Sequence, residues 1–296
     1  MATRLTSRLA VATIAGVVVA LTPWSPASAA VQCGAVLTSN TKLTSNLVCD
    51  ASGDALSIGA DGVTLNLNGH SITGPGAYDT SYAGVRVAGH TKVRVTNGRI
   101  TGFQSAVVLD ESTRAVVSKV NAYGNDQGLN LSGGGQHLVE KNYVHDNGRD
   151  AIRLGLSSYN RVRLNVVVAN TFGIGVADGS TDNVVEANAA TRNGDFGIGL
   201  LGDVARNLVQ ANVVDQSSGH GIQVNPEAVD TRLFKNYLSR NGIDGIHVEA
   251  VTTTITRNDA RKNLDLGINA PGAVDGGGNK AKGNGNSLQC VGVVCS

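Results

Sequence analysis

Apolar residues in this chain alternate with polar ones in short bursts, as in "GIGV" at 173–176 and "NVVEAN" at 183–188. Ile174 and Val176, Ile198 and Leu200, and Ile222 and Val224 each stand two apart, the period of a strand with one buried face. Past the first 30 residues no burst is long enough for an amphipathic helix. The bursts also recur, since "TFGIGVADG", "DFGIGLLGD", "GHGIQVNPE" and "DGIHVEA" restate one phrase. Its small residue falls at Gly84, Ala106, Gly128, Ala151, Gly173, Gly197, Gly221, Gly245 and Gly267, in steps of 22, 22, 23, 22, 24, 24, 24 and 22 residues. A fixed period over most of a chain predicts a solenoid. With two strand-like runs per unit, the coils would stack as parallel strands do, about 4.8 Å apart.

A second register agrees with the first. Asn142, Asn165, Asn188, Asn212, Asn236 and Asn258 hold one position in successive units, and five residues later stand Asn147, Asn170, Asn193, Ser217, Asn241 and Asn263. Asparagine tolerates the left-handed turn conformation, and its amide reaches the coils above and below. Two such files predict two aligned turns. The leucine-rich repeat has a similar period but needs a half-turn of helix and a leucine ladder, which these Val/Ile units lack.

Repeats such as "NGDFGIGLLGDVARNLVQAN" resemble those of the right-handed parallel β-helix family, and "DGVTLNLNGHSITG" at 61–74 is similar to the first-coil phrase of its secreted bacterial members. The resemblance covers about residues 55–270. It implies an all-β, single-domain right-handed parallel β-helix of about nine to ten coils. It implies no single activity, because the family includes pectate and alginate lyases, polygalacturonases, mannuronan epimerases, phage tailspikes and noncatalytic proteins.

The ends read differently from the middle. Arg4 and Arg8, the apolar run "LAVATIAGVVVAL" and "TPWSPASAA" form a secretory signal over residues 1–30, too short for a comfortable membrane span. The mature chain, 31–296, is therefore expected outside the cell with no membrane span. Residues 31–54 would cap the solenoid before the repeats of 55–270, and 271–296 would cap it after them. Cys33 and Cys49 lie at one end and Cys290 and Cys295 at the other. In an oxidising compartment this suggests a disulfide at each end, although four cysteines allow three connectivities; neither spacing resembles a zinc module.

Charge and composition exclude one partner class. The formal charge of +1 includes Arg4 and Arg8, and the leader holds no acid, so the mature chain carries −1. With 4% aromatics and no basic stripe, nucleic acid is not the expected partner. Extended polymers suit a solenoid better, because an outward column offers a rung every ~4.8 Å, comparable to the charge spacing of an anionic polysaccharide.

Candidate chemistry lies in three columns. Two residues after the small anchor stand Arg86, Val108, Asn130, Arg153, Gly175, Gly199, Gln223, His247 and Asn269. The two glycines leave a floor between Arg153 on one side and Gln223 and His247 on the other, shaped as a cleft or merely serving a close backbone approach. Just before the anchor stand Gln127, Asp150, Phe172, Phe196, His220 and Asp244. Phe172 and Phe196, with Asp150 beside them, would form a sugar-stacking platform if outward; strand parity allows them equally to point inward, and the worth of a stacked aromatic pair favours the core. His220 and Asp244 share that column on adjacent coils, and His247 and Glu249 follow on one strand, so proton transfer near neutral pH is the expected chemistry there, with Arg153 as a further catalytic candidate. The third column, Asp178, Asp203, Glu227 and Glu249, would hold Ca²⁺ if its carboxylates align.

Family motifs transfer little. "GHG" at 219–221 is similar to a polygalacturonase motif and "HDNGRDAI" at 145–152 to an epimerase segment, but the "RIK", "DPHD" and "RxPxxR" phrases of polygalacturonases, epimerases and pectate lyases are absent. The Gly-rich "GGGQH" and "DGGGNKAKGNGN" lack phosphate-loop or calcium-repeat spacing. Two function classes stand open: an enzyme on uronate polymers, lyase or epimerase more than glycoside hydrolase, and a noncatalytic solenoid that binds glycan or cell wall.

Overall fold

The computed structural model describes residues 31–50, 53–77 and 81–296; the expected secretory signal, residues 1–30, lies outside them. Every strand pairing in it is parallel and joins residues about one repeat apart, as in Ile174↔Ile198 and Ile198↔Ile222. The chain is thus a β-solenoid. Its first ribbon is a sheet of 12 strands in chain order, from Ala35–Leu37 through Phe172–Ala177 and Ile246–Val248 to Cys290–Val291. Winding therefore runs through both expected caps, for about eleven turns rather than nine to ten: Ala35–Leu37 pairs with Leu56–Ile58, and Ile268–Asn269 with Cys290–Val291. The phrase that marks each coil is too degraded at the ends to be counted there.

Each coil has three strands, where the sequence pattern suggested two. "NVVEAN" divides into Val184–Glu186 and Ala189–Thr191, because Ala187 between them takes a left-handed backbone (φ 50°). The first of these strands belongs to a second ribbon and the other to a third. Near the N-terminal end Arg94–Thr101 and Val116–Tyr123 run through both ribbons, with the same left-handed bend at Asn97 and Lys119 inside them.

Inward residues of the three ribbons make one continuous apolar core. Val107, Leu129, Ile152, Ile174, Ile198, Ile222 and Ile246 stack on the first ribbon, all essentially inaccessible. Each fully buried Val, Ile or Leu contributes roughly 1.5–3 kcal/mol.

The asparagine files are interior ladders. Except at Asn193, whose next rung is Ser217, each amide donates to the side-chain oxygen one coil on, as in Asn188 Nδ2 to Asn212 Oδ1 (3.0 Å), while the same oxygen accepts the Asn188 backbone N–H (2.9 Å). Nδ2 of Asn188 also donates to the carbonyl of Val162 (2.9 Å). The left-handed conformation falls on the residue before each Asn: Lys141, Leu164, Ala187, Ala211, Lys235 and Arg257 have φ of 50 to 56°. The reason is direction. An Asn amide must point inward to pair buried peptide groups, whereas the left-handed position turns its side chain out, where a charged residue is at ease. A third ladder, Asn160, Asn183 and Asn207, serves the turn from first to second ribbon. The sequence hid it because Ala115, His137, Thr231 and Thr253 occupy the other rungs.

The Cys33–Cys49 and Cys290–Cys295 disulfides tie the two ends, and no cysteine is free. Structural disulfides belong to oxidising compartments. Among the described residues, no helix is long and apolar enough to cross a membrane.

Candidate functional site on the first ribbon

Pairing confirms the outward column of the first ribbon: Asn130 stands against Arg153, Arg153 against Gly175, Gly175 against Gly199, Gly199 against Gln223, and Gln223 against His247. The side chains of the preceding column fold onto this same outer face. Phe196 lies across Gly199, so that a Cβ there would meet the ring at 2.8 Å, and Asp150 Oδ1 would lie 3.1 Å from a Cβ at Gly175. The expected bare floor is therefore occupied. Its glycines are small because Phe196 and Asp150 rest on them.

This placement corrects the expected core stack. Phe172 and Phe196 do stack, with ring centroids 5.3 Å apart, but outside the apolar core cluster and against the outer surface of the sheet. Parity fails because the residue before the small anchor sits on the corner, before regular pleating begins at Ile198. Phe196 is almost fully covered and Phe172 half-buried. The exposed edge is that of Phe172.

North of the rings, Asp150 is buried beside Gln127, whose Nε2 donates at 3.5 Å. Burial pushes its carboxyl above the usual range, against the pull of Arg153 and Arg149. Arg153 itself reaches Asp178, 2.5 Å from Nη2 to Oδ2.

South of the rings the chemistry condenses. Asp244 is buried, yet its carboxylate collects the Leu266 N–H (3.0 Å), Asn269 Nδ2 (3.2 Å) and His247 Nδ1 (3.0 Å). Burial works against its charge, but donation from His247, Leu266 and Asn269 outweighs this and holds the carboxyl below its usual range. His220 lies one coil before, its Nδ1 3.6 Å from Asp244 Oδ2 and within 3.4 Å of the Asp244 N–H. The two imidazoles stack, with centroids 4.3 Å apart. Nε2 of His247 faces Glu249 at 3.2 Å, so this ring lies between two carboxylates.

The two histidines are thereby driven apart. Donation to Asp244 raises His247 above the ordinary imidazole value, against its burial, and Glu249 adds to the rise. Burial, followed by the charge of His247, lowers His220. His247 thus holds its proton to a higher pH than His220 does.

The expected calcium file does not converge. Asp178 pairs with Arg153, Asp203 Oδ1 accepts the Gly179 N–H, Glu227 is exposed and Glu249 serves His247. Unequal loop lengths stagger the four carboxylates. Gln223 is turned to Asn225. The missed member is Asn269, which donates to Asp244 from one coil beyond the last charged residue; its place in the outward column was the available signal.

A continuous three-ribbon parallel solenoid with a polar and aromatic outer ladder defines the class of the protein. The chain belongs to the right-handed β-helix family, whose description, right handed beta helix region, matches residues 33–190 and settles the hand of winding. A second description, periplasmic copper-binding protein (NosD), matches residues 178–284. No curated protein matches the chain. Among solved structures, the periplasmic alginate epimerase AlgG is similar at a TM-score of 0.58 and 14% identity, over 86% of this chain and 74% of that one. The A-module of an Azotobacter vinelandii mannuronan C-5 epimerase is similar at 0.54 and 13%, over 87% and 91%. A DFA-IIIase from Arthrobacter chlorophenolicus is similar at 0.53 and 15%, over 75% of this chain and 60% of its own length. At such identities the likeness is one of fold.

Proposed function

We propose that this is an exported β-helix protein that acts on an acidic extracellular polysaccharide laid along the outer face of the first ribbon. The observation that carries the reading is the opposed pair of imidazoles. The rings stack at 4.3 Å, and the two carboxylates on His247 favour a proton there while burial disfavours one on His220, so a readier proton acceptor lies beside a readier donor. That is what lyase or epimerase chemistry needs at the carbon next to a uronate carboxyl. Hydrolysis is disfavoured. It calls for two carboxylates free to act about 5–9.5 Å apart, whereas Asp244 and Glu249, the two carboxylates of this cluster, are both engaged by His247.

The rest of the face supports polymer binding. Over five coils run Arg153, the Phe172 edge, His220, Gln223 and His247, about the length of four or five sugars at one rung each. Arg153 suits a uronate carboxylate, and the ring edge suits a sugar face. The neighbours whose names include alginate or mannuronan epimerase lend this substrate class their weight.

The test is to incubate the mature, oxidised protein with alginate, pectate and bacterial cell-wall polymers and follow chain length and uronate configuration together. A shortened or epimerised polymer, with the change abolished in His220→Ala, is the expected result. Polymer retained unchanged would make the face a binding surface without catalysis. No change and no retention would end the polysaccharide reading.

A further inference from the structure

We infer that His220, Asp244 and His247 form a binding site for one borderline divalent cation of the zinc or nickel kind, with Asn269 positioned to complete it. The inference goes beyond the polysaccharide reading and does not rest on it. Among the described residues, this is the one place where ligand atoms of three such side chains lie within 4.8 Å of one another. Asp244 Oδ2 stands 3.0 Å from His247 Nδ1 and 3.6 Å from His220 Nδ1. Ligands on a tetrahedral ion at bond lengths of about 2.0–2.1 Å lie roughly 3.3 Å apart. These two distances bracket that value, and the two imidazole nitrogens lie within 4.8 Å of each other.

The surroundings match a ligand set as well as its spacing does. His247 turns its second nitrogen to the Glu249 carboxylate, and this outer contact fixes a metal-binding imidazole in the tautomer that presents Nδ1. Asp244 is buried at the base of the trio, while His220 and His247 are partly open, so an ion enters from the outer face. The Asn269 amide lies 3.2 Å from Asp244 Oδ2 and 3.4 Å from His247 Nδ1; turned end for end, it offers a carbonyl oxygen as fourth ligand. Stacked as they are, the two rings do not share a centre. Binding therefore requires a turn about each Cβ–Cγ bond that frees His220 Nδ1 from the Asp244 N–H and aims both Nδ1 lone pairs at one point in front of Asp244. Two imidazoles and one carboxylate suit zinc or nickel, and calcium, which takes six to eight oxygens, would pass the site by.

The test is calorimetric titration of the mature protein with Zn²⁺ at pH 7.5, beside nickel-induced broadening of histidine NMR signals. One Zn²⁺ per chain is expected, with no Ca²⁺ bound. Ni²⁺ should broaden two of the six imidazoles, those of His220 and His247. His220→Gln and His247→Gln should weaken Zn²⁺ by at least tenfold. Because these changes touch a packed corner, exposed Glu249→Gln serves as a second probe, expected to cost roughly 10–100-fold through loss of the outer contact. Absence of stoichiometric binding, unchanged affinity in all three variants, or broadening at His70, His90 or His145 instead would overturn the site. Polymer turnover does not enter these readouts, so the two proposals fail separately.

Discussion

His137 stands in the third ladder where neighbouring coils carry Asn160 and Asn183, and it is 1% exposed. Its Nδ1 accepts the Ala115 N–H at 3.1 Å, while buried Nε2 has no partner. Burial lowers its pKa from 6.5 to about 4. Between those values the unfolded chain binds a proton that the folded chain refuses, so stability is full above pH 6.5 and falls as the pH drops towards 4. A difference of about 2.5 units at 1.36 kcal/mol each makes this loss about 3 kcal/mol. His137→Asn would remove the penalty and add a ladder bond from its Nδ2 to Asn160 Oδ1. Urea unfolding of both proteins, disulfides intact, at pH 7 and pH 4.5 measures it. The variant should be the more stable by about 1 kcal/mol at pH 7, and its advantage should widen by 2–3 kcal/mol at pH 4.5. Equal pH dependence in the two would refute a buried neutral imidazole at 137.

Three further outcomes follow from the same geometry. Ser217 interrupts the second ladder, its buried Oγ unpartnered between Asn193 and Asn241; Ser217→Asn should restore the rung and raise stability by about 1 kcal/mol in thermal melts. At Gly199 a Cβ would stand 2.8 Å from the Phe196 ring; Gly199→Ala should displace the ring, cost about 1–3 kcal/mol by overpacking, and weaken polymer retention, whereas retention equal to wild type would separate the rings from binding. By NMR titration His247 should lose its proton above pH 6.5 and His220 below it, since the one is raised by Asp244 and the other lowered by burial. Stability from His247 is thus present below pH 6.5 and lost as the pH rises through its folded value.

Period and alternation made the solenoid legible, because a buried column leaves the same residue type every 22 to 24 positions. The Asn files were legible as ladders for the same reason, but not as to which residue bends the chain, since the bend falls on a side chain that points to solvent and leaves no composition behind. Of the site, His220, Asp244, His247 and Glu249 were readable as a cluster, because register alone brings neighbours on adjacent coils together. The direction of Phe196 was not. It depends on a corner where alternation lapses, and Gly199 shows its purpose only when the ring is seen lying on it. The acidic file misled because its members stand 5, 6, 6 and 4 residues after Gly173, Gly197, Gly221 and Gly245, so they hold no common rung position.

Affinity electrophoresis of face variants on one acidic polymer, alginate or pectate, decides whether the first ribbon is the working surface. Arg153→Ala and Phe172→Ala on that ribbon are compared with Tyr143→Ala, an exposed residue of the third ribbon. The account predicts that the first two release the polymer while Tyr143→Ala retains it as wild type does. Retention unchanged in both first-ribbon variants, with loss in Tyr143→Ala, would contradict it.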